Sequence, residues 1–321
     1  MSTDDDAAVA ARDDAATALE AQAARLAAAG RTDSALAASD EVITIRRALA
    51  VSRPAAFAPA LARALSAHSV HLAAAGRHDE AVDTAEDAVG IHRVVAEALP
   101  VAGTPALAAA LSLQAAHLAQ AGRPDESAAV GAEAVALFRT LAEPAPDAYA
   151  PHLAGSLVAV SNQLVAAGRD PEALEAIAEA VGVLRAVAQT RPEAAAPRLA
   201  MALGNMSNLL ARLERDADAL TAIEEAIAIR RELARMHPDE TVPALAGSLN
   251  NLSNRLSSSG RPDDALDAIQ EAVRILRPLA HDDPDAYADQ LRVALRNLAS
   301  CLRDVGRDED AEVVLEEIPP A

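Results

Sequence analysis

Glycine followed by arginine returns at Gly30-Arg31, Gly76-Arg77, Gly122-Arg123, Gly168-Arg169, Gly260-Arg261 and Gly306-Arg307. The one place in that series without glycine reads Glu214-Arg215, and each interval is 46 residues with no insertion or deletion across seven copies. A strict period of this length restricts the chain to a stack of like units, each burying an apolar face on its neighbours. The 321 residues therefore read as one continuous array over 1–321, with turns near 30, 76, 122, 168, 214, 260 and 306.

Each unit reads as two helices. Leucine stands four residues before the turn position in all seven copies (Leu26, Leu72, Leu118, Leu164, Leu210, Leu256, Leu302) and eleven before it in all seven, from Leu19 to Leu295. Spacings of four and seven place these side chains on one stripe of a first helix, helix A. After the turn in the sixth copy, Ala265, Leu266, Ile269, Ala272, Val273, Leu276, Leu279 and Ala280 form a wide apolar face on a second helix, helix B. No stretch alternates with period two. The expected class is all-α, a solenoid of antiparallel helix pairs with about seven hairpins.

The punctuation has a physical reading. Glycine just past helix A takes the left-handed conformation that closes a helix, without a Cβ clash. Asp79 and Glu80 then fall in the first turn of helix B, at the positive end of its dipole. Pro124, Pro171 and Pro262 occupy first turns, where no N–H is needed. Glu214 predicts one strained or differently built turn. Between repeats, Pro54, Pro100, Pro146, Pro192, Pro238 and Pro284 are expected to end helix B, and Pro59, Pro105, Pro151, Pro197 and Pro243 to start the next helix A. Phe57, Tyr149 and Tyr287 lie between these prolines as staples that pack the linker onto the next helix. The closing segment "DEDAEVVLEEI" is a shortened helix B, which Pro319 and Pro320 are expected to end.

The segment "LNNLSNRLSSSGRPDDALDAIQEAV" resembles a tetratricopeptide repeat (TPR), with Leu249, Ser253, Leu256, Gly260, Ala265 and Ala272 at the family's bulky, small, bulky, turn and two small-contact positions. The resemblance recurs in register along nearly the whole chain. Where the usual repeat has a proline soon after helix B, this one has Arg47, Arg93, Arg139, Arg185, Arg231 and Arg277. Helix B therefore continues by roughly two turns, as in the long-repeat, kinesin-light-chain-like branch of the family. The resemblance implies a right-handed superhelix with A helices lining a concave groove. It also implies a non-enzymatic scaffold that binds a peptide or protein there; a peptide-responsive sensor acting through solenoid curvature is the alternative.

Composition narrows the partners. The formal charge of −20 argues against nucleic acid, which needs a concentrated basic surface. All 28 basic residues are arginine, and together with the alanine content this suggests a GC-rich, bacterial coding sequence. Most acids fall on helix B, so the charge describes an outer face more than a ligand. The acidic start "MSTDDDAAVAARDD" lacks the pattern of a signal peptide, and no run of 18 uninterrupted apolar residues occurs. A cytoplasmic protein without membrane contact is the expectation. The single cysteine, Cys301, cannot form an intrachain disulfide.

The candidate site is a set of amides. Asn162, Asn205, Asn208, Asn251, Asn254 and Asn297 stand on A helices, and the pairs Asn205/Asn208 and Asn251/Asn254 each share a helix face. Two readings are open: the amides hydrogen-bond the backbone of an extended peptide, or they tie neighbouring helices together. The equivalent positions earlier in the chain are Ala67, Val70, Leu113 and Ala116, so that half reads as apolar, either for an apolar ligand segment or for self-association. Arg296 sits beside Asn297 on the inner side, and Arg292, Arg296 and Arg303 read either as a grip on a carboxylate or as a solvated end face. Acids eleven residues after each turn position (Glu41, Asp87, Glu133, Glu179, Glu225, Glu271) and the arginines six further on predict a ladder of ion pairs between helices. His68, His71 and His117 have a spacing compatible with metal, but Arg25 and Arg255 share the repeat position of His71 and suggest an exposed edge. No nucleophile elbow, phosphate loop or metalloprotease signature occurs, so neither catalysis nor a cofactor is expected.

Overall fold

The structure, a computed structural model, describes residues 3–318; Pro319 and Pro320, expected to end the stack, lie outside the described residues. Every regular element described is a helix. In chain order they are α1 (Thr3–Ala28), α2 (Thr32–Ser52), α3 (Pro54–Ala74), α4 (His78–Ala98), α5 (Pro100–Gln120), α6 (Pro124–Ala142), α7 (Pro146–Ala166), α8 (Asp170–Thr190), α9 (Pro192–Arg212), α10 (Asp216–Met236), α11 (Pro238–Ser258), α12 (Pro262–Asp282), α13 (Pro284–Asp304) and α14 (Asp308–Glu316). They group into two compact units, Met1–Gly168 and Arg169–Ala321. Within each unit every helix packs on the next in sequence, and A helices also touch the next A helix: α3 with α5 and α5 with α7 in the first unit, α9 with α11 and α11 with α13 in the second. The final helix has 9 residues against 21 in most others, which is the shortened end expected of it.

The core is made by close approach, not by large rings. Leu65, Leu111, Leu157, Leu203, Leu249 and Leu295 are buried, as are Leu72, Leu118, Leu164, Leu210, Leu256 and Leu302. Five residues after each turn position stands a fully enclosed small residue: Ala35, Ala81, Ala173, Ala219, Ala265 and Ala311. In the third repeat that place is Ser127, whose hydroxyl donates to Ala115 O at 2.6 Å and so meets the cost of burying it. The α5 helix is long and apolar enough to cross a membrane by length and composition, and half of its most apolar window is buried against neighbours, as in a core helix.

The turns are built as the sequence predicts. All six turn glycines have φ between 71° and 77°. The backbone N–H of the following arginine reaches back to the leucine carbonyl, as in Arg77 N to Leu72 O at 3.0 Å. Glu214 adopts the same turn: its φ is 57°, and Arg215 N donates to Leu210 O at 2.9 Å. The turn is strained, not rebuilt. The arginine of the pair has a role that the sequence reading missed. It stands at the N-cap position of helix B without a side-chain capping bond, and bridges the acid three residues on, as in Arg77–Glu80 at 2.5 Å, Arg123–Glu126 at 2.6 Å and Arg261–Asp264 at 2.7 Å. The Arg77 hydrogen bond holds the Glu80 carboxyl below the usual range.

The joints between repeats correct the expectation. Pro54, Pro100, Pro146, Pro192, Pro238 and Pro284 do not end helix B; each is the first residue of helix A. Pro59, Pro105, Pro151, Pro197 and Pro243 lie inside helix A. Proline at the first position loses no hydrogen bond, so helix A starts as early as it can. A single residue, such as Arg53 or Leu99, then joins most repeats. Phe57, Tyr149 and Tyr287 accordingly sit half-buried in the first turn of helix A, as part of the helix and not of the linker before it.

Within each unit the expected ladder is present. Arg93 bridges Glu133 at 2.6 Å, Arg185 bridges Glu225 at 2.5 Å, Arg231 bridges Glu271 at 2.7 Å and Arg47 approaches Asp87 at 3.7 Å. The last rung uses Glu317, bound by Arg277 at 2.7 Å. The pairs lie at an offset of 40 residues and join one helix B to the next, the last reaching the C-cap residue of α14.

Candidate functional site

The amides of the second unit converge because its A helices lie side by side. A cavity of about 580 Å³ opens across α9, α11 and α13, and Asn205, Asn208 and Asn251 line it. Asn250, which the sequence reading did not single out, lines it too. Around the amides stand Met201, Gly204, Pro243, Gly247 and Val293, which makes the walls largely apolar. Concave space with a few convergent polar groups on apolar walls is the usual form of a ligand site.

The same amides also reach between helices. Asn297 Nδ2 donates to Asn250 Oδ1 at 2.9 Å, and Asn251 Nδ2 approaches Asn208 Oδ1 at 3.5 Å. Each of these amides keeps further hydrogen-bonding capacity, so bracing the helices and contacting a ligand are compatible roles. Asn297 acts through Asn250 and is not itself part of the lining. Asn254 and Arg296 are exposed outside it, and Asn162 is exposed on α7 in the first unit. Of the three arginines on α13, Arg292 binds Asp289 at 2.7 Å and Arg303 binds Glu312 at 2.7 Å, so both are engaged within the fold.

Two cavity residues come from B helices, Leu276 of α12 and Arg230 of α10. Arg230 of α10 reaches between α9 and α11, where its Nη1 donates to Ser248 Oγ. Burial pushes its pKa below the ordinary arginine value. A signal for it exists in the sequence: sixteen residues after each turn position stand Arg46, His92, Phe138, Leu184, Arg230 and Leu276, a series that mixes cations with large apolar residues.

The first unit differs in kind. Ala67 and Val70 line a cavity of about 280 Å³ with Ala23, Ala24, Val42 and Ala64, joined by Glu20, Ser39 and His71. Two of the three histidines with metal-compatible spacing are withdrawn from the surface, and His71 is half-buried. His68 and His117 are buried, and burial lowers the pKa of both. His68 Nδ1 pairs with Ser39 Oγ at 2.7 Å, and His117 Nε2 pairs with Ser69 Oγ at 3.1 Å. Cys301 stands at the repeat position of His117, is buried in the same way, and contacts Ser253 Oγ at 3.3 Å. Exposure at this repeat position varies along the chain: Arg25 is exposed, His71 and Arg255 are half-buried, and His117 and Cys301 are buried. Among the described residues no group of three or more His, Cys, Asp or Glu is placed to hold a metal ion.

Comparison with known proteins agrees with a helical-repeat fold. The sequence model of the tetratricopeptide repeat matches residues 199–239 and 245–278. No curated protein matches the sequence. Among solved structures, BtubC (BKLC) from P. vanneervenii is similar over 74% of this chain and 87% of its own, at 20% identity and a TM-score of 0.58. A putative kinesin light chain of TPR-like repeats from Podospora anserina is similar over 65% of this chain and 91% of its own, at 16% identity and a TM-score of 0.50. A signal transduction ATPase with numerous domains from Pyrococcus horikoshii, which carries a TPR sensor, is similar over 95% of this chain and 41% of its own, at 11% identity and a TM-score of 0.70.

Proposed function

We propose that this chain, whose residues 199–239 and 245–278 match the tetratricopeptide repeat, is a non-enzymatic interaction module that holds an extended peptide segment of a partner protein across α9, α11 and α13. The observation that carries this reading is the 580 Å³ cavity with Asn205, Asn208, Asn250 and Asn251 on its walls. An extended peptide presents alternating N–H and C=O groups, and a carboxamide can donate and accept at once. The apolar walls supply area for its side chains.

The test is selection from a displayed random-peptide library, with affinities then measured for the wild type, Asn208→Ala/Asn251→Ala and Arg185→Met. The double variant is expected to weaken the selected peptides by about tenfold, the scale of two lost hydrogen bonds, while Arg185→Met binds as the wild type does. Equal affinity in all three would remove the peptide from this cavity.

A sensor reading follows from one further feature: the cavity spans three successive A helices, so a ligand there would bridge repeats. The TPR portion of the P. horikoshii protein is described as a sensor. A change in the radius of gyration on peptide addition, measured by small-angle scattering, would support that role; an unchanged value would leave the scaffold role alone.

A further inference from the structure

Arg46 shows what an arginine needs at the sixteenth position after a turn. Its side chain is 4% exposed. Asp13 binds its Nη1, Glu20 Oε1 lies 3.0 Å from Nε, and Thr17 Oγ1 lies 3.0 Å from Nη2. All three partners stand on α1, and two are carboxylates, as a buried guanidinium requires.

Arg230 occupies the same place four repeats later. The residues that answer to Asp13, Thr17 and Glu20 there are Pro197, Met201 and Gly204. Its one hydrogen-bond partner among the described residues is Ser248, a neutral hydroxyl. Asp289, the carboxylate that lines the cavity, is bound to Arg292. Where Glu20 stands in the first repeat, Gly204 leaves the guanidinium facing the cavity. A Cβ built on Gly204 would lie 3.7 Å from Nη1 and 3.8 Å from Nη2, in ordinary contact and without a clash.

We propose that Arg230 is the receptor for a carboxylate on the bound peptide, an aspartate or glutamate side chain seated where Glu20 sits in the first repeat. This rests on the peptide-binding reading of the cavity and gives that peptide a chemistry. The planar fork of arginine matches a carboxylate in two parallel hydrogen bonds. Arg230 is half-buried at the cavity wall, so an arriving acid displaces only the water on its open side. The asparagines hold the backbone on either side of the acid.

The test uses the full chain and two blocked tripeptides, acetyl-Ala-Glu-Ala-amide and acetyl-Ala-Gln-Ala-amide, with succinate as a free small acid. Binding is followed by calorimetry and by the side-chain N–H resonance of Arg230. The glutamate tripeptide is expected to bind about tenfold more tightly than the glutamine one, to shift the Arg230 resonance, and to lose its advantage in Arg230→Met. Equal binding of the two tripeptides, or an advantage that survives Arg230→Met, would overturn the proposal. Succinate binding as tightly as the glutamate tripeptide would overturn the assignment to a peptide. Should Arg230→Met fail to fold, Gly204→Glu and Gly204→Gln decide the matter. The glutamate variant restores the first repeat's arrangement and should melt at a higher temperature than the glutamine variant. No difference between them would refute an available guanidinium. Library peptides that need Asn251 but show no preference for acid would sink this inference and leave the peptide-binding reading standing. An acid-specific response at Arg230 with no selectable peptide would do the reverse.

Discussion

Replacing Glu214 with glycine should stabilise the protein. Six of the seven turns between helices A and B carry glycine at φ of 71° to 77°, and Glu214 holds the seventh at 57°. A residue with a Cβ in this left-handed region gives up about 1–2 kcal/mol. Glycine recovers that but frees the unfolded chain, which offsets roughly 0.4–1 kcal/mol. The side chain of Glu214 is exposed, so little packing is lost with it. The net gain expected is about 0.5–1 kcal/mol. That corresponds to a rise of roughly 1–4 °C in the thermal midpoint of a unit of this size. The assay is thermal and urea unfolding of the wild type, Glu214→Gly and Glu214→Ala. Alanine keeps the Cβ and should give none of the gain. A glycine variant no more stable than the alanine variant would refute the reasoning, since backbone strain is the only term that separates them in the folded state.

Three further outcomes follow from the structure. Arg185→Met breaks an ion pair in which both partners are substantially exposed, so it should cost at most about 1 kcal/mol, a loss that shrinks in high salt; a larger, salt-independent loss in urea unfolding would show that the ladder does more than screen charge. Gly103→Ala should cost about 1–3 kcal/mol, because the new Cβ would stand 2.6 Å from Ala96 Cα where α5 lies against α4; an unchanged melting temperature would show that the two helices can separate freely. Burial lowers the pKa of His68, His92 and His117 in the folded state. Below the unfolded value near 6.5 the unfolded chain therefore binds more protons, and stability present at pH 7 should fall as the pH drops toward 5. His92→Leu should flatten that dependence in a series of unfolding curves, and an unchanged slope would refute the assignment to buried histidines.

The repeat, its two helices and its turn were legible in the sequence because each rests on local rules: a leucine stripe, a glycine past a helix end, acids in a first turn. The ladder was legible too, since two residues on one helix that cannot meet each other must look to neighbours. The joints were not. Pro54 and Pro59 are both compatible with the start of a helix, and only the packing of α2 against α3 decides between them. The site was half legible. Asn205, Asn208 and Asn251 were marked by position and residue type, whereas Arg230 depends on its relation to Gly204, 26 residues earlier on another helix. An arginine in sequence looks the same whether acids surround it, as they do Arg46, or not.

The single-residue joints bear on how such a chain meets a protease. A protease must draw a length of backbone into its cleft in extended form, and it usually finds that length in an exposed loop. Here three residues turn α3 into α4 and one residue joins α4 to α5. Nowhere in that stretch is there free backbone to draw out while the helices stay folded. Cleavage must then wait for a repeat to open, so the rate of nicking under gentle digestion becomes a gauge of how often each repeat opens.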